Sequence, residues 1–250
     1  MQIELVREMA DNGLLRVETL LESGRWYKKN FPVTPATAVT VPDDYRGKDI
    51  SSVWYNSRFY RAGLLWIKDN FVIRDIHMFD ASIESDYLRK AGTTSYCEYI
   101  TPPFVDGFLW STKKDKAGLR LVSFKADGKT KEIPVESHEC VESGNGELTV
   151  LCNTNCGQFE LVFNENGMTV SLDPVTGAES LEWALEFKAI VKDDLPFTKI
   201  TDKAISASYK GYDYNVRLTE GKFIQKSSDF ANWQILPQNG RLVLSGVISK

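Results

Sequence analysis

Residues 181–191 read Leu-Glu-Trp-Ala-Leu-Glu-Phe-Lys-Ala-Ile-Val, and their alternation decides the fold class. Leu181, Trp183, Leu185, Phe187, Ala189 and Val191 fall on one face of an extended chain, with Glu182, Glu186 and Lys188 on the other. Successive side chains of a strand point to opposite sides, so a period of two marks a strand with one buried face. Similar runs occur at 14–21, 53–61, 71–79, 119–125, 147–152, 159–163, 168–172, 212–218 and 241–248. No stretch longer than about two turns follows a helical period. Residues 82–91 are the best candidate for one short helix.

The runs are separated by pairs that tolerate positive φ at low cost, as tight hairpins require. These are Asp11-Asn12-Gly13, Asp127-Gly128, Asn145-Gly146, Asn166-Gly167 and Asn239-Gly240. The clearest hairpin spans 159–172, where two apolar-rich runs flank Asn164-Glu165-Asn166-Gly167. The longest irregular stretch is 31–49, with Pro32, Pro35 and Pro42. No composition break or internal repeat divides the chain. The expectation is therefore one all-β domain over residues 1–250, an antiparallel two-sheet sandwich with at most one or two short helices.

Composition prunes the functions. The chain has 250 residues, 30 Lys+Arg against 34 Asp+Glu, and a formal charge of −4. Its basic residues are scattered rather than striped, so no nucleic-acid partner is expected. No apolar run reaches the roughly 18–20 residues of a membrane span, and the first residues carry no secretory pattern. A cytoplasmic location, no membrane partner and free thiols follow as expectations. P-loop, dinucleotide-binding, nucleophile-elbow and zincin motifs are missing, and no cofactor is expected. Cys152 and Cys156, with His138 and Cys140 one hairpin upstream, could be assembled into a zinc site, but small buried thiols on neighbouring strands are the preferred reading, so no metal is expected.

The segment with most chemical character runs from 54 to 80 and contains Trp54, Arg58, Tyr60, Arg61, Trp66, Arg74, Asp75 and His77. On an unbroken strand Asp75 and His77 share a face with Phe71, Ile73 and Phe79, while Arg74 and Asp80 face the other way. A histidine beside a carboxylate moves protons near neutral pH. His77 is the candidate acid/base, with Asp75 orienting it and Glu98, which shares a short probable strand with Tyr96, as second carboxylate. Arg58 and Arg74 are the candidate cations. Trp54, Tyr60, Trp66 and Trp110 supply flat surfaces for the apolar face of a sugar ring, whose hydroxyls suit Asp, Asn, Arg and His.

An opening hairpin at Asn12-Gly13-Leu14-Leu15-Arg16-Val17-Glu18, a long run of antiparallel strands, and closing strands at 212–218 and 242–244 resemble the galactose-mutarotase-like β-supersandwich group. The resemblance covers most of the chain at the level of architecture. It implies a carbohydrate ligand or substrate. Sugar epimerases of that group use a histidine acid and a glutamate base. This chain has only two histidines, His77 and His138, and no Asn-x-x-His-Pro segment. The implied role is thus a divergent epimerase-, hydrolase- or lyase-like enzyme. The alternatives are a non-catalytic sugar-binding sandwich using Trp54, Trp66 and Trp110, or a structural domain whose exposed aromatics form an oligomer interface.

Overall fold

A computed structural model describes residues 2–96, 100–175 and 181–249. The chain falls into two compact units, Met1–Pro35 and Ala36–Lys250.

The first unit carries two helices, α1 (Gln2–Asp11) and α2 (Leu20–Asn30), where the sequence suggested an opening hairpin. Asn12-Gly13 ends a helix instead of turning a strand. Gly13 takes φ 71°, and the Leu14 amide donates to the Met9 carbonyl, closing the last turn of α1. The expected strand at 14–21 is broken by Thr19. Its side chain caps α2 by accepting from the Glu22 amide, while the Glu22 carboxylate accepts from the Thr19 amide.

The second unit is an all-β sandwich of two antiparallel sheets, with eighteen strands among the described residues. The chain first builds sheet one with β1 (Thr37–Val41), β2 (Ile50–Asn56), β3 (Tyr60–Ile67), β4 (Asn70–Met78), β5 (Pro103–Asp106), β6 (Gly118–Phe124) and β7 (Thr130–Glu132). It crosses to sheet two for β8 (Ser137–Ser143), β9 (Glu147–Thr154), β10 (Gly157–Asn164) and β11 (Gly167–Pro174). β12 (Trp183–Lys188) returns to sheet one, and β13 (Phe197–Ile200), β14 (Ala204–Tyr209) and β15 (Tyr212–Glu220) extend sheet two. Then β16 (Lys222–Gln225) and β17 (Asn232–Leu236) complete sheet one, and β18 (Arg241–Ser245) completes sheet two. Sheet one runs β1-β2-β3-β4-β6-β12-β17-β16, with β5 beside β4 and β7 beside β6; sheet two runs β13-β14-β15-β18-β11-β10-β9-β8.

The strand expected at 53–61 is two strands. Ser57 makes the turn between β2 and β3, its hydroxyl accepting from the Phe59 and Tyr60 amides. The hairpin at 159–172 is present as β10 and β11. Gly167 is there for close approach: a Cβ on it would lie 2.1 Å from the Leu244 carbonyl of β18. Asn239-Gly240, with φ 53° and 76°, makes the expected tight turn before β18. Between 82 and 91 there is only a short 3-10 turn, Asp86–Leu88.

The core lies between the sheets and is rich in aromatics. Trp233 stacks on Phe187 at 4.5 Å and meets Phe104, Phe197 and Phe223, while Phe159 and Trp183 join edge to face at 5.1 Å. Tyr60 and Tyr214 cross the core to donate hydroxyls to backbone carbonyls, which satisfies the one polar group each ring buries. Among the described residues no helix is long and apolar enough to cross a membrane.

Candidate functional site

A β-bulge builds the site. In the pairing of β3 with β4, Gly63 opposes Asp75 and Leu64 opposes Ile73, so Arg74 is the extra residue. A bulge shifts the inward and outward phase of everything beyond it. Phe71 and Ile73 point into the core, and after the bulge Ile76 and Met78 do so as well. Asp75 and His77 are thereby turned to the outer face of sheet one. This corrects the expectation that they share a face with Phe71 and Ile73, which assumed an unbroken period. The Arg74 carbonyl accepts the Gly107 amide at 2.7 Å, and its guanidinium lies 4.1 Å over the Phe108 ring.

Two cross-strand rows result. One runs Trp54, Gly63, Asp75, Asp106 across β2, β3, β4 and β5; the next runs Asn56, Arg61, His77. Gly63 lets the Trp54 ring lie flat over β3, since a Cβ there would come 2.8 Å from that ring. Arg61 grips Asp75 with Nε at 2.8 Å and Nη2 at 3.3 Å, and its guanidinium sits 5.9 Å from the Trp54 ring. His77 Nε2 faces two carboxylates, Asp106 at 3.3 Å and Asp75 at 3.7 Å, while Nδ1 meets the Thr101 hydroxyl at 2.8 Å. Asp106, whose pKa is lowered, only accepts when ionised, which assigns the proton to Nε2, a nitrogen that makes no hydrogen bond within the described residues.

Depth separates these groups. Asp75 is fully buried and His77 and Asp106 nearly so, whereas the Arg61 side chain is 34% exposed and Phe108 58% exposed. Asp75, His77 and Asp106 form a floor, and the half-buried Arg61 and Trp54 with the exposed Phe108 form its rim. Burial opposes ionisation of Asp106, but His77 and the amides of Leu109 and Phe108, at 2.8 and 2.9 Å, outweigh it and hold its pKa below the usual carboxylate value. A depressed folded pKa stabilises above the unfolded value and is lost as pH falls through the folded one. Asp106→Asn is therefore expected to lose stability relative to the parent at neutral pH, with the gap closing below about pH 4. Urea titrations across pH 2.5–7 (roughly) measure it, and a gap that widens on acidification would contradict the assignment.

The remaining predicted residues lie elsewhere. Arg58 pairs with Glu165 at 2.6 Å at the end of the β2-β3 hairpin. Tyr60 is in the core, where burial pushes its hydroxyl well above the usual phenol pKa. Trp66 is at the other end of β3, stacked on His138 at 3.9 Å. Trp110 is buried against Phe187 and Phe197. Trp54, Trp66 and Trp110 therefore do not form one platform. Glu98 lies outside the described residues. Sequence reasoning did not single out Arg61, although it lies in the segment of interest, nor Asp106. Asp106-Gly107 was the available signal for the latter, an Asp-Gly pair ending a short apolar run.

His138, across from Cys152 in the β8-β9 pair, stacks on Trp66, and Cys140, Cys152 and Cys156 are free thiols. Burial pushes the Cys152 thiol up to about 12 and raises that of Cys140, and Cys156 Sγ lies 3.1 Å from the Thr154 hydroxyl. Among the described residues no group of three or more His, Cys, Asp or Glu side chains is placed to hold a metal ion. Fold and site together define an antiparallel β-sandwich with a polar, aromatic-rimmed patch on the outer face of its larger sheet. The chain matches no protein-family model, no curated protein and no solved structure.

Proposed function

We propose that the outer face of sheet one binds a carbohydrate between Trp54, Arg61, Arg74 and Phe108. The observation that carries this reading is the pair of cross-strand rows. They set an arginine fork and the half-buried Trp54 ring over a buried Asp-His-Asp floor, and the exposed Phe108 ring follows β5 beside them. A sugar ring stacks its C–H face on such rings and gives its hydroxyls to the charged groups between them. Asp75 occupies Nε and one hydrogen of Nη2 of Arg61, leaving the Nη1 amino group uncommitted to that pair. Of the features behind the resemblance to the galactose-mutarotase-like group, the antiparallel strands remain and the opening hairpin does not, and the former support the same ligand class by analogy.

The burial of Asp75 and His77 favours binding over catalysis, because a proton-transfer group must reach its substrate. In the divergent-enzyme reading His77 is the acid/base, with the Asp106 and Asp75 carboxylates facing its Nε2 at 3.3 and 3.7 Å. Glycan arrays followed by calorimetry test both. Trp54→Ala and Arg61→Ala are each expected to weaken the selected sugar by roughly tenfold or more, the loss of one good charged or stacking contact. His77→Gln that keeps binding but loses turnover supports the enzyme; wild-type binding with no turnover supports the binding module. No response to any glycan sinks both.

A further inference from the structure

On the same sheet, beyond the start of β4, lies a second cleft of about 310 Å³. Four cations line it: Lys114 and Lys116 from the loop before β6, Arg120 on β6 and Lys188 on β12. Two carboxylates, Asp115 and Glu132, line it with them, and Glu186, held by Thr130 and Gln234, lies across from Arg120 in the β6-β12 pair. Ile67, Val72 and Ile190 supply apolar walls.

Arg120 is the central group. Its Nε lies 3.2 Å from Glu132, and its Nη2 donates to the Lys116 carbonyl. Its Nη1 amino group is buried and has no hydrogen-bond partner. Buried donors are almost always satisfied, so a guanidinium nitrogen enclosed without a partner beside an electropositive cleft is a donor that an entering anion would satisfy by drawing the side chain toward it. Apolar walls strengthen attraction between the cations and an anion by lowering the local dielectric. The planar fork of arginine is suited to an oxyanion, and the lysines add charge without imposing geometry.

We infer that this cleft is a binding site for a small ligand carrying an oxyanion, such as a phosphate, sulfate or carboxylate group. Arg120 provides the directional contact and Lys114, Lys116 and Lys188 the charge. The site involves none of the residues assigned to the carbohydrate patch and does not depend on that reading.

Calorimetry and thermal unfolding with sodium phosphate, sodium sulfate and glucose 6-phosphate, each matched in ionic strength by sodium chloride, test it. Saturable binding at one site is expected beyond the chloride control. Lys114→Ala/Lys188→Ala removes two exposed cations without touching the core and is expected to weaken binding by roughly tenfold, with an unchanged melting temperature in the absence of ligand. Arg120→Gln is expected to abolish it. Glucose 6-phosphate binding much more tightly than phosphate identifies the anion as one group of a larger ligand; equal affinity identifies the free ion. Responses no larger than those to chloride, or a double lysine variant that binds as the parent does, overturn the site.

Discussion

Trp233→Ala is expected to lower the free energy of unfolding by about 3–5 kcal/mol, the cost of emptying a large buried aromatic position. The ring is fully buried and lies directly across from Phe187 in the β12-β17 pair, stacked on it at 4.5 Å. Phe104, Phe197 and Phe223 meet it from β5, β13 and β16, so its removal loosens contacts from both sheets at once. The indole nitrogen, however, is buried without a hydrogen-bond partner. Trp233→Phe gives up volume but also removes that unsatisfied donor, worth about 1–3 kcal/mol on its own. It should therefore be markedly milder than the alanine change. Denaturant midpoints at unchanged m-value give both numbers. A loss below about 1 kcal/mol for the alanine variant would mean that the aromatic cluster does not join the sheets.

Asp75→Ala has the second large effect, about 2–3 kcal/mol. Breaking a buried ion pair by removing one partner costs about 3–5 kcal/mol. The lower figure applies because the surviving Arg61 side chain is a third exposed and regains water. The same change frees Arg61 from the position it holds beside Trp54 and removes one of the two carboxylates facing His77 Nε2. Arg61→Ala should cost at least as much, since it leaves Asp75 fully enclosed without its ion-pair partner. If the double variant Asp75→Ala/Arg61→Ala is no more stable than the sum of the single losses predicts, the two residues are not coupled.

Strand existence was readable from the sequence because burial on one face imprints a period of two, as in β12 and in the β10-β11 hairpin. Which face Asp75 and His77 take was not readable. A one-residue bulge leaves no mark on composition, yet it reverses the phase of everything after Arg74. The helices at 2–11 and 20–30 were hidden by an Asn-Gly pair that ends a helix as readily as it turns a hairpin. Thr19-x-x-Glu22 was the capping signal that separates these cases. Of the candidate site, Asp75 and His77 were legible because they are adjacent on one strand. Asp106 reaches them only through the β4-β5 pairing, and Arg61 through β3. Trp66 and Trp110 drew attention by residue type, and packing rather than ligand contact accounts for where they sit.

The placement of β18 sets a schedule for how this molecule is made. That strand, the last of the eighteen, is inserted between β15 and β11 in the interior of sheet two. Until the ribosome has released residues 241–245, the β8-β11 and β13-β15 blocks have no strand to join them, and β11 and β15 are open edges. Nascent chains stalled before β18 should therefore depend on chaperones that shield strand edges, and completion of the sandwich should follow the end of this segment's synthesis instead of accompanying it.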